Sequence, residues 1–234
     1  LDTICGMFAI NQPPTGSSDP FAVRRSAIGV IAMLREAPVR ALEELIGRSL
    51  ASYAEQGLSF DADEVAANVR AFFAGRLATI ARDEGIAPDT IEAVSAAGIV
   101  DPAEFLHRAH ALEDARAGQP ELFDDLATAY ARAAHLGDVK LGLEVDEALL
   151  GDAEQALLRA VDEASATVSE RLGSGDYEGS LAALASLREP IDRFFTDVLV
   201  MDEDERVRDN RLRLLNRFSH VFDGVANIGA LARK

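Results

Sequence analysis

One stretch near the end of the chain, residues 202–228, constrains the fold more than any other. It opens with four acidic residues, which suit a helix N-terminus, and continues with the period of an α-helix. At 100° per residue, one face is apolar and another is basic and polar. The apolar face holds Val207, Leu214, Phe218, Val221 and Val225, and the polar face holds Arg206, Asn210, Arg213, Arg217 and His220. The pattern predicts a single long amphipathic helix, whose polar face is either solvated or bound to a partner.

Helical patterns also fill the rest of the chain. They are predicted at residues 39–56, 61–81, 88–97, 101–116, 121–134, 146–172, 177–187 and 190–201, and no strand pattern appears. Low aromatic content (6%) and the absence of Trp agree with an all-α fold. The tripeptide at 118–120, Gly-Gln-Pro, is the best candidate boundary. We therefore expect helical regions at 1–117 and 118–234, the second being an antiparallel bundle of five helices.

Composition also indicates the cellular compartment of the protein. The single cysteine, Cys5, excludes an intrachain disulfide and indicates a reducing cytoplasm. The chain has neither a signal peptide nor an apolar run of transmembrane length, so no membrane partner is expected. Because the chain begins with Leu1 inside a helical pattern, we expect it to be a fragment of a longer protein.

Charge is unevenly distributed along the chain. The net charge of −17 argues against nucleic-acid binding by the protein surface as a whole. Residues 141–205 contain 17 acidic and 4 basic residues, whereas residues 206–234 contain 7 basic and 2 acidic ones. Phosphate binding depends on the local surface and not on the total, so the basic end stays a candidate.

A loop is predicted at residues 13–18, before a helix that starts at Asp19 and Pro20. Prolines and a glycine at 13–16 break the helix, Asp19 suits an N-cap, and Pro20 suits the first helical position. Free N–H groups in this loop would suit an anion such as a phosphate, with Arg24 and Arg25 in the first turns. The alternative is that these two arginines pair with acidic residues inside the helical packing.

Three stretches resemble the bacterial glycyl-tRNA synthetase β-subunit family. Residues 14–25, PTGSSDPFAVRR, match a family motif almost letter for letter, and residues 75–94 match a second one. Residues 189–228 match the family's C-terminal signature, except that Asn227 stands where the family usually has Asp. The resemblance extends over essentially the whole chain, which we therefore expect to be the C-terminal part of such a β subunit or of a fused αβ enzyme.

The resemblance implies both a fold and an activity. Residues 1–117 would be the end of an HD-like helical region with linker helices, and residues 118–234 a DALR-like anticodon-binding bundle. The family attaches glycine to its tRNA with ATP, and adenylate formation belongs to the α subunit or α part. We therefore expect tRNA-Gly and the α subunit as partners. We expect no catalytic residue and no cofactor in this chain, although the parent enzyme uses ATP and glycine.

Candidate RNA contacts lie on two helical stretches. Of the family's basic stretch at this point, Arg132 is kept, while His135 replaces an Asn. Aromatic rings and arginine planes hold the bases of single-stranded RNA loops, and exposed cations hold phosphates. The acidic stretch 141–205 is expected to lie away from this groove. The candidate tRNA-binding residues are Tyr130, Arg132, His135 and Lys140 on one wall, Arg206, Arg213 and Arg217 on the other, and Arg24 and Arg25 in the earlier region. The alternative is an ordinary helix end, with His135 near the C-terminal dipole.

Two further groups of residues have predicted roles. Arg211 projects about 40° from the centre of the apolar stripe, so we expect a partly buried ion pair, with Asp192 as the candidate partner. His107 and His110 share a predicted helix with Glu104 and Glu113. The sequence supplies no further ligands for these histidines, so a solvated polar face is favoured and no metal site is predicted.

Two other functions fit parts of the sequence. A non-catalytic helical scaffold that binds protein is favoured by the net charge and opposed by the basic C-terminal face. An arginyl-type synthetase tail would contain the same kind of bundle, but the match at residues 14–25 counts against it.

Overall fold

The structure is a computed structural model that describes residues 1–15, 19, 21–36, 42–99 and 101–232. These residues contain α-helices and short 3-10 helices and no β-strand, which confirms the all-α class. The α-helices are α1 (Asp2–Ala9), α2 (Val23–Glu36), α3 (Leu42–Glu55), α4 (Ala62–Asp83), α5 (Pro88–Ser95), α6 (Pro102–Gly118), α7 (Pro120–Leu136), α8 (Asp152–Gly173), α9 (Tyr177–Ala185), α10 (Arg188–Asp197) and α11 (Glu205–His220). The 3-10 helices are Val139–Leu141, Glu147–Leu149 and Ile228–Leu231.

The chain forms two compact units. Unit 1 comprises Leu1–Ala87 and Gly98–Ala109, and unit 2 comprises Pro88–Ala97 and His110–Lys234. The predicted boundary at residue 118 coincides with the junction between α6 and α7, whereas the compact units divide inside α6. The division into regions 1–117 and 118–234 stays a prediction.

Unit 1 is built around α1, which packs against α3 and α4. Its fully buried side chains include Ile4, Ile46 and Phe73. Gly6 permits the close approach of α1 and α3, because a Cβ atom there would lie 2.6 Å from the hydroxyl of Tyr53. That hydroxyl donates a hydrogen bond to the carbonyl oxygen of Asp2 at the start of α1.

Asp19 caps α2 as predicted, although it lies three residues before the N-cap position, Ala22. The carboxylate of Asp19 accepts hydrogen bonds from the backbone N–H groups of Val23 (2.7 Å) and Arg24 (3.1 Å). These N–H groups have no partner inside the helix, so the cap satisfies them. The helix begins at Val23, and Pro20, predicted as its first residue, lies outside the described residues.

Unit 2 contains the predicted helical bundle. Helix α7 packs against α10 and α11, and α8 packs against α9, α10 and α11. The core contains the fully buried side chains of Leu126, Leu157, Phe194 and Phe218. Helix α5 joins this unit by packing against the 3-10 helix Ile228–Leu231.

The long helix predicted at 202–228 is shorter in the structure. Helix α11 ends at His220, and the N–H groups of Val221 and Phe222 bond to carbonyls three residues back, which tightens the last turn. Gly224 then adopts a left-handed φ of 77°, which glycine tolerates better than other residues. The turn lets the N–H of Asn227 donate to the carbonyl of Ala93 on α5. Tertiary packing therefore replaces the last two turns of the predicted helix.

The helix predicted at 146–172 is also shorter at its start. Helix α8 begins at Asp152, after the 3-10 helix Glu147–Leu149. In the described part of the chain, no helix is both long enough and apolar enough to cross a membrane.

Candidate nucleic-acid interface

The polar face of α11 is largely occupied by a neighbouring segment of the chain. Asn210 is only 1% exposed, and its side-chain amide accepts from the N–H of Asp146 (2.7 Å) and donates to its carbonyl (3.0 Å). The amide nitrogen of Asn216 donates to the carbonyls of Asp138 (2.7 Å) and Gly142 (3.0 Å). The two asparagines hold both ends of residues 138–146 against α11. This segment is called the clamped segment below.

Arg213 joins the same contact between the two asparagines. Its Nε donates to the carbonyl oxygen of Leu141, 3.2 Å away. Arg213 also lines an open cleft of about 610 Å³ whose other wall is residues 141–146. The prediction that the acidic stretch 141–205 lies away from this face is wrong. Leu141, the first residue of that stretch, accepts a hydrogen bond from Arg213.

The other two candidate arginines of α11 have different surroundings. Arg217 is paired with Asp162 of α8 at 2.7 Å, which is a second contact of the acidic stretch with the basic face. Arg206 lies at the start of α11, is exposed, and has no ion pair within the described residues. The structure therefore leaves Arg206 as the most accessible cation of the three, and any role of these arginines in RNA binding stays a prediction.

The predicted cluster on α7 is not assembled on one face. The guanidinium carbon of Arg132 lies 4.1 Å from the ring centroid of Phe195 on α10. The ring of Tyr130 packs edge-to-face on Phe222 just beyond α11, with centroids 5.0 Å apart. Two residues along an α-helix are about 200° apart, so Tyr130 and Arg132 face different neighbours.

His135 and Lys140 lie near the end of α7. His135 is exposed in its last turn, and Lys140 is exposed in the 3-10 helix Val139–Leu141 of the clamped segment. Both side chains are accessible to a ligand. Of the four candidates on this wall, Lys140 lies within the clamped segment, and Tyr130 lines a cleft together with residues of that segment.

A second cleft, of about 300 Å³, lies where α7, the clamped segment and the end of α11 meet. We call it the Tyr130 cleft. Its lining residues are Tyr130, Ala134, Gly137, Val139, Gly142, Leu143, Asn216, Ser219, His220 and Asp223. Only Tyr130 of these was a predicted site residue.

The polar groups of the Tyr130 cleft come mainly from α11 and the turn after it. His220 Nδ1 and Asp223 Oδ2 are 2.7 Å apart, and Ser219 Oγ is buried with no hydrogen-bond partner. Burial raises the pKa of Tyr130 above its ordinary value, and the Asp223 carboxylate adds to the shift. Sequence reasoning missed Asn216, Ser219 and Asp223, although their spacing along one side of the helix was available as a signal.

Arg211 anchors α11 on its other side. Its Nε donates to Glu154 of α8 (2.5 Å), and one terminal nitrogen donates to Asp202 (2.7 Å) and to the carbonyl of Leu199 (2.9 Å). The prediction of a partly buried, paired arginine is confirmed. The predicted partner Asp192 is wrong, because Asp192 pairs instead with Arg188 one turn earlier on its own helix, at 3.1 Å.

Two family models match the chain. Residues 1–96 match the model of the glycyl-tRNA synthetase beta subunit, and residues 126–228 match the model of the DALR anticodon binding domain. The beta subunit of glycine–tRNA ligase from Geobacter metallireducens is 39% identical over 99% of this chain. The chain belongs to the glycyl-tRNA synthetase beta-subunit family.

Other relatives agree with this assignment. The corresponding beta subunits from Acinetobacter baylyi and Desulforudis audaxviator are 39% and 37% identical over 99% and 97% of the chain. These matches cover 34%, 34% and 33% of the Geobacter, Acinetobacter and Desulforudis proteins. The chain thus spans about one third of the length of these curated relatives. The part matching the DALR model includes the clamped segment, α8 to α11 and every residue of the Tyr130 cleft.

The candidate site of unit 1 is only partly described. Arg24 and Arg25 lie in the first turn of α2, and the side chain of Arg25 is exposed. Residues 16–18 of the proposed anion-binding loop lie outside the described residues. The loop and its two arginines therefore stay a prediction.

The histidines and glutamates of α6 do not form a cluster with other ligands. In the described ranges, no group of three or more His, Cys, Asp or Glu residues is arranged to hold a metal ion. Glu113 instead accepts a hydrogen bond from the hydroxyl of Thr90 on α5, at 2.5 Å.

Proposed function

We propose that this chain is the anticodon-side tRNA-binding part of a glycine–tRNA ligase beta subunit. The observation that carries the proposal is the match of residues 126–228 to the DALR anticodon binding domain. That domain contains the two clefts, the ring of Tyr130 and the exposed cations Lys140 and Arg206. Such residue types suit a single-stranded RNA loop, whose bases stack on rings and whose phosphates meet cations.

In the proposed role, the chain positions the tRNA and does not itself make or break covalent bonds. The complete enzyme would attach glycine to tRNA-Gly with ATP, and the α subunit or α part would form the adenylate. By holding the anticodon side, this chain would orient the acceptor end in a distant active site, which lowers the entropic part of the barrier. No catalytic residue and no cofactor are assigned to this chain. We place the enzyme in the cytoplasm, where the single buried Cys5 stays reduced.

The local charge balance supports a modest electrostatic contribution to the affinity for tRNA. Arg213 and Arg217 are each engaged by the acidic stretch or its backbone, whereas Arg206 and Lys140 are exposed. If Arg206, Arg213 and Arg217 contact phosphates, the logarithm of affinity should fall with the logarithm of salt concentration at a slope of about −2 to −3. Specificity would then come from contacts with bases.

The test is binding of the complete protein that carries this chain to tRNA-Gly and to an unrelated tRNA across a salt series. Tighter binding of tRNA-Gly, with the slope flattened when Arg213 and Arg217 are both replaced by Ala, supports the proposal. Equal binding of both tRNAs, or no binding, would overturn it. A pull-down that captures a protein partner while tRNA-Gly does not bind would favour the helical-scaffold alternative.

The arginyl-type alternative is less favoured than the glycyl one. Residues 1–96 match the glycyl-tRNA synthetase beta-subunit model, and these residues lie outside the bundle that the two synthetase types would share. The same binding experiment with tRNA-Arg as the unrelated tRNA separates the two.

A further inference from the structure

We propose that the loop between α10 and α11 docks onto another part of the same beta subunit, one that lies outside the length that this chain spans. The surface that receives the loop would be an apolar recess of protein bordered by Lys or Arg side chains. The loop comprises residues 198–204 and is called the α10–α11 loop below. The inference rests on the family to which the chain belongs and not on the proposed tRNA-binding function.

The α10–α11 loop displays two large apolar side chains. Leu199 is 76% exposed and Met201 is 56% exposed, whereas Val200 between them is buried. Within the described residues of unit 2, the other exposed large apolar side chains are Val139 and Leu143 of the clamped segment. Single exposed apolar residues are common on protein surfaces, but two that flank a buried residue place apolar surface at one point, as interfaces do.

Charged groups hold the backbone of the loop in place. One terminal nitrogen of Arg211 donates both to the carbonyl oxygen of Leu199 (2.9 Å) and to the carboxylate of Asp202 (2.7 Å), so it bridges the two ends of the displayed segment. Arg208, one turn earlier on α11, donates to the carbonyl oxygen of Asp202 (3.2 Å). Arg211 is itself paired with the buried carboxylate of Glu154. Because these contacts order the loop before a partner arrives, docking loses little conformational entropy.

The charge around the loop favours protein over RNA as the partner. Residues 197–205 contain five acidic residues and no basic one. Among them, Glu203, Asp204 and Glu205 are exposed, and Arg206, which follows directly, balances only one of them. Negative charge repels the phosphates of RNA, and it attracts the Lys and Arg side chains of a protein surface. The complementary surface is therefore apolar at its centre and basic at its border.

The small size of this surface favours a contact within one polypeptide. A stable interface between separate proteins buries about 800 Å² on each partner and involves about 20–30 residues a side. The loop between Asp197 and Glu205 has seven residues and supplies only a fraction of that area. Surfaces joined by one chain meet at an effective concentration in the millimolar range, so a small contact suffices. The chain spans about one third of the length of its curated relatives, and the remainder of a complete subunit would provide the receiving surface.

Methionine oxidation measures whether the loop is covered. The complete protein that carries this chain is treated with hydrogen peroxide in the absence of tRNA, and conversion of Met201 to its sulfoxide is followed by mass spectrometry. If the docked state is favoured about tenfold, Met201 should react about tenfold more slowly than in the same protein unfolded in urea, because only the undocked state reacts. Met201 is 56% exposed when nothing covers the loop. Slowing by about twofold or less would therefore overturn the proposal.

Substitutions test the apolar and the charged parts of the contact separately. Leu199→Asp should undock the loop and raise the oxidation rate of Met201 to about half of the unfolded rate, whereas Leu199→Ile should keep the rate low. Glu203→Lys should also raise the rate, because it places a cation against the basic border. The matched control is Glu163→Lys, since Glu163 is exposed on α8, and it should leave the rate unchanged. An unchanged rate in Leu199→Asp, or equal rates in the two lysine variants, would contradict the proposal.

Cross-linking identifies the surface that receives the loop. A photo-reactive amino acid replaces Leu199 in the complete enzyme, and the cross-linked peptides are sequenced by mass spectrometry. The expected product joins this position to a peptide of the same beta polypeptide, outside this chain, that has Lys or Arg beside apolar residues. Mixing isotope-labelled with unlabelled protein separates a cross-link within one polypeptide from one between two copies. The control replaces Ala166, which is exposed on α8, and should give no discrete product.

The outcomes separate this inference from the proposed function. A cross-link to another subunit, to a second copy or to residues of this chain would overturn the docking proposal, and so would the absence of any product. Protection of Met201 that requires added tRNA would place RNA on the loop and overturn it as well, while selective binding of tRNA-Gly would stand. Failure of that selective binding would leave the docking measurements unaffected.

Discussion

Arg211 of α11 and Glu154 of α8 form an ion pair 2.5 Å long that is largely removed from solvent. Glu154 is 3% exposed, and its other carboxylate oxygen accepts from the N–H of Gly151 at the start of α8. One carboxylate therefore caps a helix and pairs with an arginine from a helix 57 residues further along the chain. The pair couples the start of α8 to the middle of α11.

Arg211→Ala should destabilise the protein by about 3–5 kcal/mol, because removing one partner leaves the other charge buried and unpaired. Urea unfolding followed by circular dichroism measures the change in unfolding free energy. The matched control is Arg193→Ala, because Arg193 makes an exposed pair with Asp197 and should contribute about 1 kcal/mol or less. If both variants lost the same free energy of unfolding, the ion pair with Glu154 would contribute no more to stability than an exposed pair does.

Asn216→Ala should release the clamped segment. The variant removes the hydrogen bonds to the carbonyls of Asp138 and Gly142, and each loss should lower the free energy of unfolding by about 0.5–1.5 kcal/mol. Hydrogen exchange should increase at residues 138–146 more than elsewhere in unit 2. The control is Asn68→Ala, because Asn68 is exposed on α4. It should change neither the free energy of unfolding nor the hydrogen exchange of residues 138–146. Unchanged exchange in the segment after Asn216→Ala would contradict the clamp.

Stability should decrease in acid through Asp89. Arg116 donates two hydrogen bonds to this carboxylate, at 3.1 and 2.8 Å, and these lower its pKa below the ordinary value of 3.8. A carboxyl group whose folded pKa is lowered binds protons more readily in the unfolded state. Its contribution to stability is therefore present above the unfolded pKa and is lost as the pH falls through the folded pKa. Unfolding free energies measured from pH 7 to pH 2 should show a smaller acid loss in Asp89→Asn than in the wild type.

The comparison for this prediction is Asp63→Asn. Asp63 is exposed in the first turn of α4, and its replacement should leave most of the acid dependence in place. If Asp89→Asn and the wild type lose stability in parallel down to pH 2, protonation of Asp89 does not cause the acid loss, and the prediction is wrong.

The ion pair with Asp162 should weaken any contact between Arg217 and RNA. Because Asp162 lies 2.7 Å from Arg217, Asp162→Asn would free that cation and remove a negative charge from the proposed interface. Affinity for tRNA should rise by up to about fivefold at low salt, the effect of about 1 kcal/mol, and the gain should vanish at high salt. Binding of the complete protein to tRNA-Gly at two salt concentrations measures this. Asp197→Asn, on α10, is the control; an equal gain there would mean that overall charge alone is responsible.

Periodicity predicted the helices and one buried charge. The apolar stripe of residues 202–228 indicated which side of α11 faces the core, and the position of Arg211 near that stripe indicated that it would be buried and paired. These statements follow from sequence because side-chain direction along a helix repeats every 3.6 residues whatever lies opposite. The capping role of Asp19 is local in the same way.

Tertiary structure decided what each polar side chain contacts. Asn210 lies on the face that the sequence assigned to solvent or a partner. Asn210 and Asn216 are both buried because a segment 64 to 78 residues away lies on them. Arg211 pairs with Glu154 and not Asp192, and α11 ends at His220 because the chain turns towards α5. The sequence by itself determined the helices, their apolar sides and the family resemblance. The partners of the polar residues depended on which distant segment packs opposite them, and local periodicity carries no information about that.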